Sequence, residues 1–138
     1  ARIDFNKNLG RIKVKVTYQE PCHLTHVQRI RKQPRQLITS IPGIELVEME
    51  DSDLCCGAGA TYIFSQPDLS LRLLSMKMEN IEATKASIVL TSNPPCYLQL
   101  QRGIRSLGLN VKPYYIVELL DEAYKRSGAY TQHHPRCL

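Results

Sequence analysis

Two hydrophobic periods alternate along this chain. Ile12-Lys13-Val14-Lys15-Val16-Thr17-Tyr18 switches side residue by residue and is rich in β-branched positions, which predicts a strand that runs straight into Pro21-Cys22-His23. Pro34 suits the first turn of a short helix with Leu37, Ile38 and Ile41 on its apolar face, and Pro42-Gly43 ends it. Ile44-Glu45-Leu46-Val47-Glu48-Met49 predicts a second strand, from which Glu50-Asp51-Ser52-Asp53 leads into Leu54-Cys55-Cys56-Gly57-Ala58-Gly59-Ala60. Ser65-Gln66-Pro67-Asp68 supplies a cap, an early proline and an acid for a helix start, and Leu71, Leu74, Met78 and Ile81 follow at helical spacing. The spacing predicts a helix over residues 67–84 with those side chains in the core. Ala86-Ser87-Ile88-Val89-Leu90-Thr91 is a short apolar run suited to a buried strand, and it feeds Asn93-Pro94-Pro95-Cys96. The next helix carries Leu100, Ile104 and Leu107 and stops at Gly108. Asn110-Val111-Lys112-Pro113-Tyr114-Tyr115 predicts a fourth strand, with Pro113 placing it at an edge or a strand end. Ile116 to Arg126 closes the pattern as a helix with Val117, Leu120 and Tyr124 on one face.

Strands and helices in alternation predict an α/β fold: a single domain with a mostly parallel four-stranded sheet flanked by helices. Residues 1–11 read as a lead-in, 12–126 as the domain, and 127–138 as an irregular, disordered tail. No internal repeat or low-complexity segment interrupts the chain. Cys22, Cys55 with Cys56, and Cys96 each follow a predicted strand and precede a helix. In an open parallel sheet such connections share the carboxyl edge, where ligands bind, so the four cysteines are expected to converge on one site.

Composition sharpens this picture in three ways. A chain of 138 residues with 43% hydrophobic residues can bury one real core without covalent staples. Five cysteines, an odd number, fit a disulfide framework poorly and favour a reducing compartment. The net charge of +5 is concentrated in Gln28-Arg29-Ile30-Arg31-Lys32-Gln33-Pro34-Arg35, where no aromatic residue interleaves as a single-strand nucleic-acid binder requires. That run is expected to be a solvated surface segment, with an acidic protein partner left open. The chain opens on Ala1, which suggests a processed chain or an excised fragment. No apolar run at its start resembles a secretion signal, and no stretch approaches the length of a membrane span, so a soluble protein is expected.

The candidate chemistry lies in the cysteines. Adjacent Cys55 and Cys56 cannot pair without strain, but they can present two thiolates to a metal that glycine backbone approaches closely. Thiolates select soft and borderline metals, which means iron–sulfur or zinc. Structural zinc usually takes repeated C-x₂₋₄-C pairs, and a vicinal pair with two distant single cysteines fits that poorly. Iron–sulfur sites also commonly use short runs, so spacing alone names a metal site and not its metal. His23 and His26 can ligate or tune such a site, or do neither; the residues do not choose. Cys137, near His133-His134-Pro135-Arg136, reads as an incidental thiol. Gly57-Ala58-Gly59 makes a weak phosphate-turn candidate, because Tyr62 stands where a third glycine is needed. A nucleophile pair from neighbouring Cys22 and His23 is a poor option, and no catalytic residue is assigned.

Glu20-Pro21-Cys22-His23, Leu54-Cys55-Cys56-Gly57-Ala58, and Asn93-Pro94-Pro95-Cys96 with Gln99 resemble the cysteine-rich CCG domain of heterodisulfide reductase, lactate-utilisation and glycolate oxidase iron–sulfur proteins. Phe64-Ser65-Gln66-Pro67-Asp68-Leu69-Ser70-Leu71 and Tyr115-Ile116-Val117-Glu118-Leu119-Leu120 extend the resemblance to the carboxy-terminal repeat of the glycolate oxidase iron–sulfur subunit, over residues 12–125. The resemblance implies Cys22, Cys55, Cys56 and Cys96 as ligands of an iron–sulfur cluster of 4Fe-4S type, with Gly57 and Gly59 offering backbone amides to the sulfurs. Gln99 stands where the heterodisulfide reductase pattern carries another cysteine, which argues against a five-cysteine noncubane cluster.

By the same resemblance, the expected function is that of an electron-transfer module in a complex that oxidises 2-hydroxy acids, passing electrons from a flavin subunit toward a quinone-type acceptor. Its implied partners are that flavoprotein and a sister CCG repeat, with no nucleic acid and only an indirect membrane link. Its implied location is cytoplasmic, at most peripheral to the inner face of a membrane. The competing expectation is a module for structure or subunit docking, in which the thiols hold zinc or nothing and the segment from Arg29 to Arg35 meets the partner.

Overall fold

A computed structural model of the chain describes residues 7–59 and 62–131. Strand β1 (Val14–Tyr18) leads through one turn of π-helix (His23–Val27) to α1 (Lys32–Thr39) and then to β2 (Ile44–Leu46). A long connection reaches the one-turn helix α2 (Tyr62–Ser65) and the helix α3 (Pro67–Ala83). Strand β3 (Ile88–Thr91), helix α4 (Pro94–Leu107), strand β4 (Lys112–Tyr115) and helix α5 (Ile116–Arg126) follow, and Ala129–Thr131 forms a 3-10 turn. The sheet is four-stranded in the order β2-β1-β3-β4, and each pairing is parallel. Val16 sits opposite both Leu46 and Ile88, which fixes β1 between its two neighbours. Pro113 lies in the edge strand β4, where its missing N–H breaks no ladder on the outer side.

Alternation along the strands sends side chains to two separate cores. Val16, Tyr18 and Leu90 face Ile38 and Ile41 from the α1 side and Ile116, Leu119 and Ala123 of α5. Val89 points the other way, into Met49, Leu74, Met78, Ile81, Leu100, Ile104 and Val111. Two buried faces are why β3 reads as an unbroken apolar run. Helices α3 and α4 meet closely at Gly103, where an added Cβ would come within 2.7 Å of Met78 Sδ. Gly108 ends α4 in a left-handed conformation, φ 63°, as its place after the last apolar position predicts.

Several expectations need correction. β2 ends at Leu46 rather than continuing to Met49, because Met49 turns inward to join the core against α3. The segment before Pro67 already forms a helical turn, Tyr62–Ser65. The buried stripe of α3 keeps Leu74, Met78 and Ile81 as expected and adds Ser70 and Lys77, whereas Leu71 is 45% exposed. Likewise Leu100 and Ile104 of α4 are buried but Leu107 is exposed, and α5 buries Ile116, Leu119 and Ala123, with Leu120 and Tyr124 packed against that core, while Val117 is 69% exposed. Spacing alone does not show where along each apolar face burial stops.

Of the expected lead-in, residues 1–6 lie outside the described residues, but Leu9 joins the core and the Gly10 N–H donates to the Ala123 carbonyl at 2.8 Å. Of the expected tail, residues 132–138, including Cys137, lie outside the described residues. Among the described residues no helix is long and apolar enough to cross a membrane.

Leu100→Ala, which empties a fully buried position between α4 and its neighbours, is expected to lower the unfolding free energy by about 3 kcal/mol. Leu107→Ala, on the exposed side of the same helix, is expected to stay within about 0.5 kcal/mol. Urea denaturation of the two variants measures both.

Candidate metal centre

The carboxyl edge of the sheet gathers the cysteines. Cys22 is the residue that caps the π-helical turn after β1, while Cys55 and Cys56 lie in the irregular connection after β2. Cys96 falls not in a loop but in the first turn of α4, just after Pro94 and Pro95, where unpaired backbone N–H groups favour a thiolate. All four are free thiols, and they line one cavity of about 190 Å³ together with Gln19, His23, Gly59 and Asn93. Cys56 is 1% and Cys96 4% exposed, packed with Ala58 and Ile63, while Cys22 and Cys55 are half-buried.

The thiols are linked to one another and do not ionise alike. Cys55 is pulled down to about 5, chiefly because the Cys56 thiol hydrogen-bonds to it, against burial and with help from the Gly57 and Gly59 backbone and the Cys22 thiol. The Gly57 N–H lies 3.4 Å from Cys55 Sγ. Cys56, as donor toward both Cys55 and Cys96 and buried besides, is pushed strongly up. Cys96 is drawn down to about 7 by the Cys56 thiol, with burial opposing and Asn93 Nδ2 donating at 3.2 Å. Cys22 is raised by burial and by the neighbouring Cys55 and Cys96. Such a set binds and releases protons jointly.

Two polar relays hold the cysteine-bearing segments. The Glu20 carboxylate is buried; it accepts from Thr25 Oγ1 at 2.6 Å, Arg35 Nη2 at 2.5 Å and Ser52 Oγ at 3.1 Å. Arg35 also pairs with Glu48 at 2.6 Å and lies 5.5 Å from the centre of the Tyr18 ring. This joins the Cys22 segment to the segment ahead of Cys55, and it takes Arg35 out of the basic run as a free charge. Arg31 is similarly bound to Asp53 at 3.0 Å. On the other side, Gln99 Nε2 donates to Ser70 Oγ at 3.1 Å, and Ser70 Oγ donates to the Gly57 carbonyl at 2.7 Å. Gly57 has φ 85°, and a Cβ there would lie 2.3 Å from the Ser70 carbonyl oxygen, so this position admits glycine alone. Gly59 is less confined: an added Cβ would meet only Cys55 Sγ, at 3.8 Å.

Sequence reasoning missed two residues beneath the site. Gln19 Nε2 donates to the Glu20 and Leu54 carbonyls, at 2.8 and 3.3 Å, which leaves Gln19 Oε1 buried with no partner at the cavity wall. Lys77 is fully buried on α3, and burial pulls it down to about 8 although Cys56, Asp51, Asp53 and Cys55 favour its charge. The available signal was a lysine at the core spacing between Leu74 and Ile81. His23 lines the cavity but is exposed, and His26 Nε2 lies 3.3 Å from the Asp53 carbonyl oxygen. Among the described residues, no three His, Cys, Asp or Glu side chains are placed to hold a single ion as they stand.

Comparison with known proteins adds to this geometry. The family model CCG, described as a cysteine-rich domain, matches residues 16–101. The probable glycolate oxidase iron-sulfur subunit of Bacillus subtilis (strain 168) is 42% identical over 110 residues, which are 78% of this chain and 25% of that protein. A CoM/CoB fumarate reductase subunit of Methanothermobacter marburgensis is 39% identical over 114 residues, 82% of this chain and 23% of that protein. A dihydromethanophenazine:CoB–CoM heterodisulfide reductase subunit of Methanosarcina mazei is 32% identical over 125 residues, 88% and 30% respectively. The chain thus spans about a quarter of the length of these curated relatives.

Burial works to raise Glu20, but the hydrogen bonds from Thr25, Arg35 and Ser52 outweigh it and hold the carboxyl below its ordinary value of 4.5. Its stabilising contribution is therefore present above that value and is lost as pH falls through the lower folded value. Glu20→Gln is expected to cost about 2 kcal/mol at pH 7 and clearly less well below the carboxylate range. Urea denaturation of both proteins at neutral and acid pH measures this, and an equal difference at the two would contradict it.

Proposed function

We propose, for a chain that belongs to the CCG family of cysteine-rich domains, that it is an iron–sulfur-binding module that relays electrons within an oxidoreductase complex. The observation that carries this reading is the meeting of Cys22, Cys55, Cys56 and Cys96, from three separate stretches of the chain, around one cavity. Four thiols make a donor set suited to iron–sulfur or zinc. The names of the relatives point the same way, being iron-sulfur, fumarate reductase and heterodisulfide reductase subunits.

In detail, the four cysteines ligate a cluster of 4Fe-4S type. When bound, that group supplies reversible one-electron storage, and the protein's own residues set how readily it is used. The Gly57 N–H, already directed at Cys55 Sγ, and the Asn93 amide at Cys96 Sγ stabilise electron-rich sulfur, which raises the reduction potential. Cys56 and Cys96 keep that side of the site dry, while the half-buried Cys22 and Cys55 leave an open side for a partner. The complex is one that oxidises 2-hydroxy acids. A flavoprotein subunit delivers electrons, a sister CCG repeat completes the subunit, and a quinone-type acceptor receives them. The thiols act as ligands and not as nucleophiles.

Cys56→Ser, and equally Cys55→Ser, is expected to abolish cluster assembly. Metal and acid-labile sulfide analysis of anaerobically reconstituted protein, with absorption and EPR spectra, measures it. Iron and sulfide retained in either variant would overturn the ligand assignment, and zinc without sulfide in the unaltered protein would favour a structural module instead.

A further inference from the structure

The Lys77 side chain is sealed in the interior with no anionic partner bonded to it among the described residues. Its side chain is 0% exposed. Nζ donates to the Asp51 carbonyl oxygen at 2.5 Å and lies 4.0 Å from Met49 Sδ, and both of these acceptors are neutral. Among the described residues the ion pairs engage other cations, and Lys77 takes part in none of them. Removing an ammonium from water for one carbonyl is unfavourable, so a lysine here either gives up its proton or answers negative charge nearby.

The candidates for that charge are few. Asp51 is exposed at its side chain, and Asp53 is committed to Arg31 at 3.0 Å. Both still favour the charged lysine, and the thiol set adds to them: Cys56 ahead of the two carboxylates and Cys55 after them, with Lys77 in turn favouring the thiolate of Cys96. Asp51 lines a cleft together with Cys22 and Cys55, so the bond to its carbonyl ties Lys77 to the wall of the thiol site. Gln19, bonded to the Leu54 carbonyl just ahead of the double cysteine, carries in Oε1 a buried polar atom with no hydrogen-bond partner among the described residues. Buried polar groups thus approach the double cysteine from two separate parts of the chain.

We propose that Lys77 is the countercharge of the occupied four-cysteine site: a buried ammonium that offsets the net negative charge left when four thiolates surround a dipositive metal core. This rests on the metal-binding reading above. The charge balance is the same for a 4Fe-4S core and for zinc. Inside the protein this attraction is little screened by salt. Adding an electron makes the site more negative, so Lys77 favours the reduced state as well as occupancy. A purely mechanical role, pinning the Asp51 carbonyl, needs only a hydrogen-bond donor and gives no preference for a redox state.

The test compares Lys77→Met, Lys77→Gln and Lys77→Arg with the unaltered protein. Each is reconstituted anaerobically with ferrous iron and sulfide, then analysed for metal and sulfide content and titrated by EPR for its midpoint potential. Lys77→Arg is expected to load and to keep its midpoint. The Met and Gln variants either fail to load or shift the reduction equilibrium at least tenfold against the electron, 59 mV for a one-electron couple, at low and high salt alike. The proposal is overturned if Met or Gln loads with an unchanged midpoint. Rescue by Gln of what Met loses also overturns it, since a donor without charge then suffices. Failure of all three variants, Arg included, assigns Lys77 to holding the fold and overturns it too. If the unaltered protein takes up neither iron nor zinc, the metal-binding reading falls and this inference with it; if it loads and the variants match it, only Lys77 is misassigned.

Discussion

Parallel pairing of β1 with β3 is the constraint on which the rest of the molecule depends. Thr17 opposite Val89 and Tyr18 opposite Leu90 put the ends of both strands side by side at one edge of the sheet. Because parallel strands cannot be joined by tight turns, each must return through a helix, and every connection at this edge is free to carry chemistry. Cys22 follows the end of β1, Cys96 follows β3, and the long connection after β2 delivers Cys55 and Cys56 between them. Two apolar cores, one on each face, hold that pairing in place. The site therefore borrows its rigidity from Val16, Val89, Leu90 and Leu100, none of which lines the cavity.

Near the edge the interior changes character. Thr17, Gln19, Glu20 and Thr91 are buried where the strands end, and α3 buries Ser70 and Lys77. Some of these groups are satisfied within the protein, as Glu20 is by Arg35, Thr25 and Ser52. Others are not: Thr17 Oγ1, Gln19 Oε1 and Thr91 Oγ1 have no hydrogen-bond partner among the described residues. Buried polar groups without partners weaken a fold, so a layer of them beneath four thiols is better understood as part of the site than of the core. Stability is concentrated in the middle of the sheet and given up at its functional edge.

The thiols themselves show why vicinal cysteines are useful. Cys56 is buried and shares its proton with Cys55 and Cys96, which lie on either side of it and are held lower for that reason. A segment of ordinary residues could not bring Cys55 and Cys56 so near while turning one toward solvent and the other inward. Gly57, in a left-handed conformation against the Ser70 backbone, is what permits the turn. Gln99 secures it through Ser70, so the position that the heterodisulfide reductase pattern gives to a further cysteine serves here as a brace.

Much of this was legible in the sequence because it is local. The period-two run of β1, the apolar run of β3, the helix start at Pro67 and the glycine stop at Gly108 depend on neighbours a few residues away, and all take their expected places. The cysteine set was also legible, since alternation of strands and helices sends every such connection to the same edge. Where burial stops on each helix was not. Leu71, Leu107 and Val117 are apolar but exposed, while Leu74, Met78, Ile81, Leu100 and Ile104 are buried as the spacing predicts, and only the packed structure draws that boundary. Nor does a sequence show that Lys77, one cation among many, is the one sealed inside, or that Arg35 leaves its basic run to bind Glu20. Those outcomes belong to contacts between residues far apart in the chain. The order of residues thus determined the elements and the edge at which the thiols meet, and tertiary packing alone decided which charges were buried beside them, because burial is a property of what closes over a side chain and not of the side chain itself.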